Sequence, residues 1–388
     1  MRPTTHDIFA SRRKGRGRLS PDLRSAVTGP GAEARQEAST PWVTDQWTDR
    51  ALLHAGLYVS AGVLILAAVL GGFPRVTHVD SGLIGLSGLL VATFLSTPHF
   101  IATVWLFLGN DALRDATPDG GRRFRVANVV FIALMLPVLL IASQKTDSML
   151  VLLAFVGLFD TYHFASQDRG FLSIYRHRAG QDAAVARRDN RLMRAVIPWM
   201  ALNTLGAPDA AYWIDIGLLG QQWPATLPDW VFPASHGVLL LLIIDVVQGE
   251  LRRPEGPHWP KLGFMASALC SYALIPVTPL LGYVAARVHH GATYLGLSRH
   301  MVRHLSEADK FRGRLLPWIA GGSLKRYVGV MAVVALPLSI IMAFGGQLQG
   351  SRVAMAFVLL VTFHHYFVDA FIWRFKRPEI REGVALYI

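Results

Sequence analysis

Residues 126–143 read VANVVFIALMLPVLLIAS, a run with no Asp, Glu, Lys or Arg. As a helix rising 1.5 Å per residue it covers about 27 Å, nearly the roughly 30 Å of bilayer hydrocarbon. A soluble domain has no use for so long an apolar surface. Working outward, nine further apolar segments fall near 51–73, 82–109, 147–168, 193–208, 230–248, 262–279, 280–301, 326–346 and 352–374. Pro276 and Pro279 separate the seventh span from the eighth, and Pro198 lies in the short fifth. Segment 209–229, with Tyr212, Trp213 and Trp223 leading to Trp230, reads as an interfacial loop with an aromatic belt. The composition agrees: 52% of the 388 residues are hydrophobic and 16% charged, against about 25% charged in soluble chains. The expected fold is all-α, a polytopic membrane protein built as a single bundle of about ten transmembrane helices.

The net charge of +12 could indicate nucleic-acid binding, so the distribution of the cations decides. Of 38 Lys and Arg, 34 fall in the tail 1–50, in loops 110–125, 167–194, 249–261 and 299–326, or from residue 374 onward. Each of these connections lies on the same side of a ten-span alternation, whereas a nucleic-acid binder gathers its basic residues on one folded surface. The positive-inside rule then puts both termini in the cytoplasm of a bacterial-type inner membrane, and nucleic acid is excluded as a partner. Residues 1–50 read as a disordered basic tail held near anionic lipid, 51–374 as the transmembrane bundle and 375–388 as a cytoplasmic C-terminal tail. With one cysteine, Cys270, no disulfide framework, CxxC zinc site or cysteine-bound iron–sulfur cluster can form.

Chemistry is expected at the histidines. His99, His163, His236, His289, His290, His364 and His365 lie inside spans 2, 4, 6, 8 and 10, which all run from outside to inside. His99 precedes Arg114 by 15 residues, His163 precedes Arg178 by 15, His236 precedes Arg252 by 16, His290 precedes Arg303 by 13 and His364 precedes Lys376 by 12. Their depths thus agree within about one helical turn. An imidazole in hydrocarbon needs a polar partner, and rings from several helices at one level satisfy one another around a shared centre. Histidine is the commonest metal ligand, so these seven are candidate metal ligands. His54 and His78, near span ends, read as interfacial.

Carboxylates accompany two of these positions. Asp160 and His163 share a face at i,i+3, extended by Gln167, and His365 and Asp369 share one at i,i+4. Asp369 is expected to accept the ring N–H of His365 and orient it, and Asp160 to ligate or move a proton. Arg287 and Tyr294 on the polar eighth span complete the candidate catalytic set, Arg287 holding an anionic substrate group or pairing with Asp80 or Asp215. His300 and His304, spaced H-x-x-x-H, follow Arg299 at the cytoplasmic end of that span and read as a solvated basic helix end.

Thr97-Pro98-His99-Phe100, Tyr162-His163-Phe164 and Arg299-His300-Met301-Val302-Arg303-His304 resemble the histidine motifs of the bacterial Brp/Blh β-carotene oxygenase family. The resemblance covers these three short patches. It implies an all-helical membrane fold with histidine-bound non-haem iron that cleaves a polyene with oxygen. It also implies His99, His163, His300 and His304 as ligands, whereas the depth count favours His289, His290 and the 364/365 pair over the last two.

Together these readings predict a non-haem iron oxygenase or oxidase, its Fe(II) held by neutral imidazoles, acting with molecular oxygen on a lipophilic substrate from the bilayer. Two ions are an alternative, since seven imidazoles and two carboxylates exceed the ligand number of one; zinc and haem are alternatives to iron. A b-type haem electron carrier, a proton-coupled transporter using the same His and Asp residues, and a membrane acyltransferase with a histidine base are the rival functions. No Walker A, Rossmann, H-E-x-x-H or nucleophile-elbow motif occurs, and the histidine boxes of membrane desaturases are absent too.

Overall fold

A computed structural model describes residues 41–69, 94, 97–117, 119, 121–205, 228–344 and 352–372. The chain divides into Met1–Pro41 and Trp42–Ile388, and the described residues belong almost wholly to the second unit. The tail reading for residues 1–40 and 375–388, the aromatic loop 206–227 and the anions Asp80 and Asp215 lie outside the described residues. Trp42 to Arg50, placed in the tail by sequence, are part of the folded unit. Val43 and Asp49 are fully buried, and the Asp49 carboxylate accepts from Val43 N, Thr44 N and the Tyr175 hydroxyl, each at 2.8 Å.

After a helical turn at Gln46–Thr48 and a π-helical turn at Asp49–Leu53, the helices are α1 (Ala55–Val69), α2 (Thr97–Gly109), α3 (Asp111–Ala116), α4 (Arg122–Ala142), α5 (Thr146–Arg178) and α6 (Ala183–Leu205). They continue as α7 (Val231–Leu251), α8 (Trp259–Ala273), α9 (Pro279–Glu307), α10 (Leu315–Ala320), α11 (Leu324–Phe344) and α12 (Arg352–Ile372). Among the described residues there is no strand, only an isolated bridge between Asn110 and Phe311. The all-α expectation holds.

Helices occupy each of the ten apolar segments, but they differ in character. Among the described residues three are long and apolar enough to cross a membrane, α4, α7 and Leu324–Ile341 of α11. The Gln46–Leu53 and Ala55–Val69 pair, bent by 44°, makes up to a fourth. The others fall short for a physical reason. α2 has only 13 residues, and α5 and α9, of 33 and 29 residues, carry histidines, carboxylates and arginines that dilute their hydropathy. On α4 the outward residues are apolar, with Val129, Leu134 and Ile141 all exposed.

α9 is the central rod, packing against α1, α2, α5 and α8. The break before it follows the prolines: α8 ends at Ala273 and α9 starts with Pro279 at its first position, where the missing N–H costs nothing. The return is tight, since a Cβ on Gly282 would lie 2.4 Å from the Ile275 backbone nitrogen. Where α1 crosses α8, a Cβ on Gly56 would meet Ser271 Oγ at 2.3 Å and Ser267 O at 2.5 Å. Only a residue without a side chain permits that approach.

Candidate metal centre

Four helices each deliver one imidazole to a common point. His99 comes from the first turn of α2, His163 from the middle of α5, His290 from α9 and His365 from α12. All four are buried. The helical repeat explains the register on α9, where Tyr283, Arg287, His290 and Tyr294 recur at spacings of four, three and four residues on one inward face. On α5 the same repeat aligns Asp160, His163 and Gln167.

The ring nitrogens, rather than the ring bodies, converge. His99 Nε2 lies 2.9 Å from His365 Nε2 and 3.2 Å from His290 Nε2, and His365 Nε2 lies 3.3 Å from His163 Nε2. One ligand atom from each residue lies within 4.8 Å of every other. Hydrogen bonding cannot account for this. A neutral imidazole nitrogen is either one donor or one acceptor, yet His99 Nε2 and His365 Nε2 each face two other ring nitrogens. A cation at the centre takes all four lone pairs at once. With metal–nitrogen bonds of about 2.0–2.1 Å, neighbouring ligands sit about 3.0 Å apart in an octahedron and about 3.4 Å apart in a tetrahedron. The three contacts of 2.9, 3.2 and 3.3 Å match that range, and the full spread of up to 4.8 Å exceeds the distance of about 4.2 Å between opposite ligands, so small side-chain movements close the set around an ion. The buried four-histidine group can therefore hold a metal ion.

Packing orients the rings. Phe100 lies against His99 at 4.5 Å and His365 at 4.4 Å, Phe164 against His290 at 4.6 Å and Tyr366 against His163 at 4.8 Å between centroids. Asp369, expected to accept the free ring N–H of His365, meets instead the nitrogen that faces the cluster. Its Oδ2 sits on the Nε2 side, 3.4 Å from His365 Nε2 and 3.5 Å from His163 Nε2, and accepts from Gln167 Nε2 at 3.3 Å. It stands as an oxygen donor at the flank of the cluster. Tyr294, fully buried, packs 5.4 Å from the His99 ring.

Arg287 pairs with an anion inside the chain. Its Nη2 donates to Asp160 Oδ2 at 2.8 Å, and Tyr283 and Tyr366 donate their hydroxyls to the same carboxylate. The role of Asp160 is thus to gather Arg287 and two tyrosines beside His163, not to reach the nitrogen cluster.

The other three candidate histidines stand elsewhere. His289, one residue from His290 and so about 100° around the helix, turns the opposite way. Its Nδ1 meets Ser267 Oγ at 3.1 Å and its Nε2 lies 3.3 Å from Asp168 Oδ1, while the other oxygen of that carboxylate, Oδ2, accepts from Tyr272. His364 bonds Asn128 Oδ1 on α4 at 2.7 Å. His236 is exposed and bonds its own helix, Nδ1 to Phe232 O at 2.6 Å. His300 and His304, ring centroids 4.2 Å apart near the end of α9, are outside the cluster as well.

Asp168, Tyr272, Tyr283 and Tyr366 escape the sequence reading as site neighbours, because their partners are 104 to 206 residues away. Only Tyr283 gives a local signal, one turn before Arg287 with its ring 4.8 Å from the guanidinium carbon. A more remote polar cluster is equally hidden. Lys261, fully buried, donates to Asp189 at 3.2 Å, to Gln181 at 3.0 Å and to Glu250, while Arg176 donates to Asp189 at 3.0 Å.

An apolar cleft of about 410 Å³ opens beside the centre, bounded by α2, α4, α11 and α12. Phe100, Trp105, Phe357 and Leu360 line it, and His364 and His365 reach it. No protein-family model matches this chain, and neither a curated protein nor a solved structure is significantly similar to it.

Proposed function

We propose that the four-histidine centre binds one divalent transition ion, iron, within a membrane-embedded helical protein, and that the protein is an oxygenase or oxidase acting on a lipophilic substrate. The observation that carries this reading is a series of four buried Nε2 atoms, His290, His99, His365 and His163, at successive distances of 3.2, 2.9 and 3.3 Å, with a carboxylate oxygen 3.4–3.5 Å from two of them. Nitrogen with one oxygen donor suits iron, and a carboxylate at the flank leaves room for oxygen and substrate. Bound there, iron supplies redox chemistry toward molecular oxygen. His99, His163, His290 and His365 hold it, Asp369 adds or withdraws an oxygen ligand, and Asp160 with Tyr366 keeps an exchangeable proton next to His163.

The arrangement of the four rings favours this reading over the haem alternative. Haem iron takes at most two axial protein ligands because the porphyrin fills the plane, and four imidazoles converging within 4.8 Å leave no such plane. A single cluster also favours one ion over two. The membrane setting and lateral substrate entry are supported by three helices of spanning length and apolar content and by the cleft beside His365. The resemblance to the β-carotene oxygenases fits the same chemistry through His99 and His163.

Elemental analysis of detergent-purified protein, prepared without chelator or histidine tag, tests the reading. About one iron per chain is expected, lost in His163→Ala and in His365→Ala. Iron retained by both variants, or no iron in the wild type after anaerobic loading with Fe(II), overturns it.

A further inference from the structure

The lining of the cleft includes one histidine that is not part of the four-histidine group, His364. Asn128 Nδ2 donates to the Phe124 carbonyl at 2.8 Å, which fixes the amide orientation, so Asn128 Oδ1 must be an acceptor. The 2.7 Å contact to His364 Nε2 then requires the proton on Nε2. A neutral His364 accordingly carries its lone pair on Nδ1, and no hydrogen bond to Nδ1 exists among the described residues. The rest of the lining is apolar apart from His365 and the Trp105 indole N–H. Ile132 and Phe357 line the cleft and are exposed on the outer apolar surface, so it opens toward the side of the protein.

We propose that the cleft binds a lipophilic alcohol, its chain along Phe100, Trp105 and Leu360 and its hydroxyl donating to His364 Nδ1, next to the ligand His365. This rests on the reading of the cluster as a metal centre only for what becomes of the bound molecule. His364 is then a specificity residue outside the ligand set. An acceptor alone selects a hydroxyl over an ether or an unsubstituted hydrocarbon, because neither of these has a proton to give. Asn128 acts as a positioning residue by pinning the tautomer.

The test uses the full-length protein in detergent. A bromine-terminated dodecanol, its methyl ether, the matching aldehyde and bromododecane are titrated, and quenching of Trp105 is read as the difference between wild type and Trp105→Phe. The alcohol should bind about tenfold tighter than the ether, the increment of one hydrogen bond. His364→Leu should abolish the preference while keeping apolar binding, and Asn128→Leu should weaken it. Equal binding of alcohol and ether by the wild type overturns the proposal without recourse to any variant. So does a preference unchanged in His364→Leu, and so does tighter binding of the aldehyde, which would assign the Trp105 N–H instead. Iron content measured on the same preparations separates the two readings. Alcohol preference without iron removes the metal assignment alone, and iron without alcohol preference removes this one alone.

Discussion

His99 and His365, 266 residues apart in the chain, bring their Nε2 atoms to 2.9 Å of each other inside the protein, with ring planes at 89°. Two neutral rings in this pose share one proton at most, and each nitrogen has a second nitrogen at 3.2–3.3 Å. The pair is therefore the tightest edge of the four-histidine group. Thermal unfolding of the wild type should shift upward when Fe(II) or Zn(II) is added anaerobically, by about 2.7 kcal/mol at a hundred times the dissociation constant. His99→Ala and His365→Ala should show no such shift.

Asp369 approaches both His163 and His365 through one oxygen. Asp369→Asn keeps the shape and the Gln167 neighbour but removes the charge. Metal affinity should fall about 10–100-fold, in the range for an outer or weak ligand, while the four imidazoles still bind. A competition titration against a chelator reads this directly; an unchanged affinity would place Asp369 outside the coordination.

Neighbouring histidines should part company in the same assay. His290→Ala should lose the metal. His289→Ala, His364→Ala and His236→Ala should retain full stoichiometry, because those rings face Asp168, Asn128 and their own helix. His289→Ala should still destabilise the fold by about 1–3 kcal/mol, since Asp168 and Ser267 lose a buried partner.

Lys261 offers a test unrelated to the metal. Its ammonium is fully buried between Asp189 and Glu250, and Lys261→Met leaves those carboxylates facing each other with Arg176 and Arg253 alone. The loss should be about 3–5 kcal/mol in unfolding free energy, partly recovered by adding Glu250→Gln. Metal content per folded chain should not change.

His258 should make the same region acid-sensitive. It caps α8 by accepting from Lys261 N through Nδ1 at 3.2 Å, and burial pulls its pKa below the ordinary histidine value, opposed by the Glu250 charge. The cap exists only while Nδ1 is unprotonated. Its stabilisation, about 1 kcal/mol for a helix cap, is present above the unfolded-state value near 6.5 and is lost as pH falls through the lower folded value. Unfolding measured from about pH 7.5 down to about pH 5, which brackets the ordinary histidine value, should show this slope. His258→Asn, which caps without titrating, should flatten it.

How much of this is legible in the chain follows from what each signal measures. Hydropathy and cation counting report depth along a helix, and depth alone puts His99, His163, His290 and His365 at one level. Depth carries no information about direction around the axis. His236, level with the others, therefore faces outward, and His289 and His364 turn away from partners that sit one residue along. The i,i+4 spacing of His365 and Asp369 correctly pairs the two residues but leaves open which ring nitrogen the carboxylate meets. Arg287 announces its need for an anion, and the anion, Asp160, lies 127 residues away on another helix. Contacts of that separation leave no local pattern. The apolar count likewise finds ten helical segments, yet it cannot tell helices with exposed apolar faces, such as α4, from α5 and α9, whose His163 and His290 are buried.

α5 engages other elements like a toothed rack. Asp160 meshes with Arg287, Gln167 with Asp369, Asp168 with Tyr272, Tyr175 with Asp49 and Arg176 with Asp189. Sliding this rod by one turn, about 5.4 Å, would unseat all five engagements together. The C-terminal half of the rod that presents His163 is thus indexed along its length. Accommodation of ions of different radius is left to side-chain torsions and to His99, mounted on the first turn of α2.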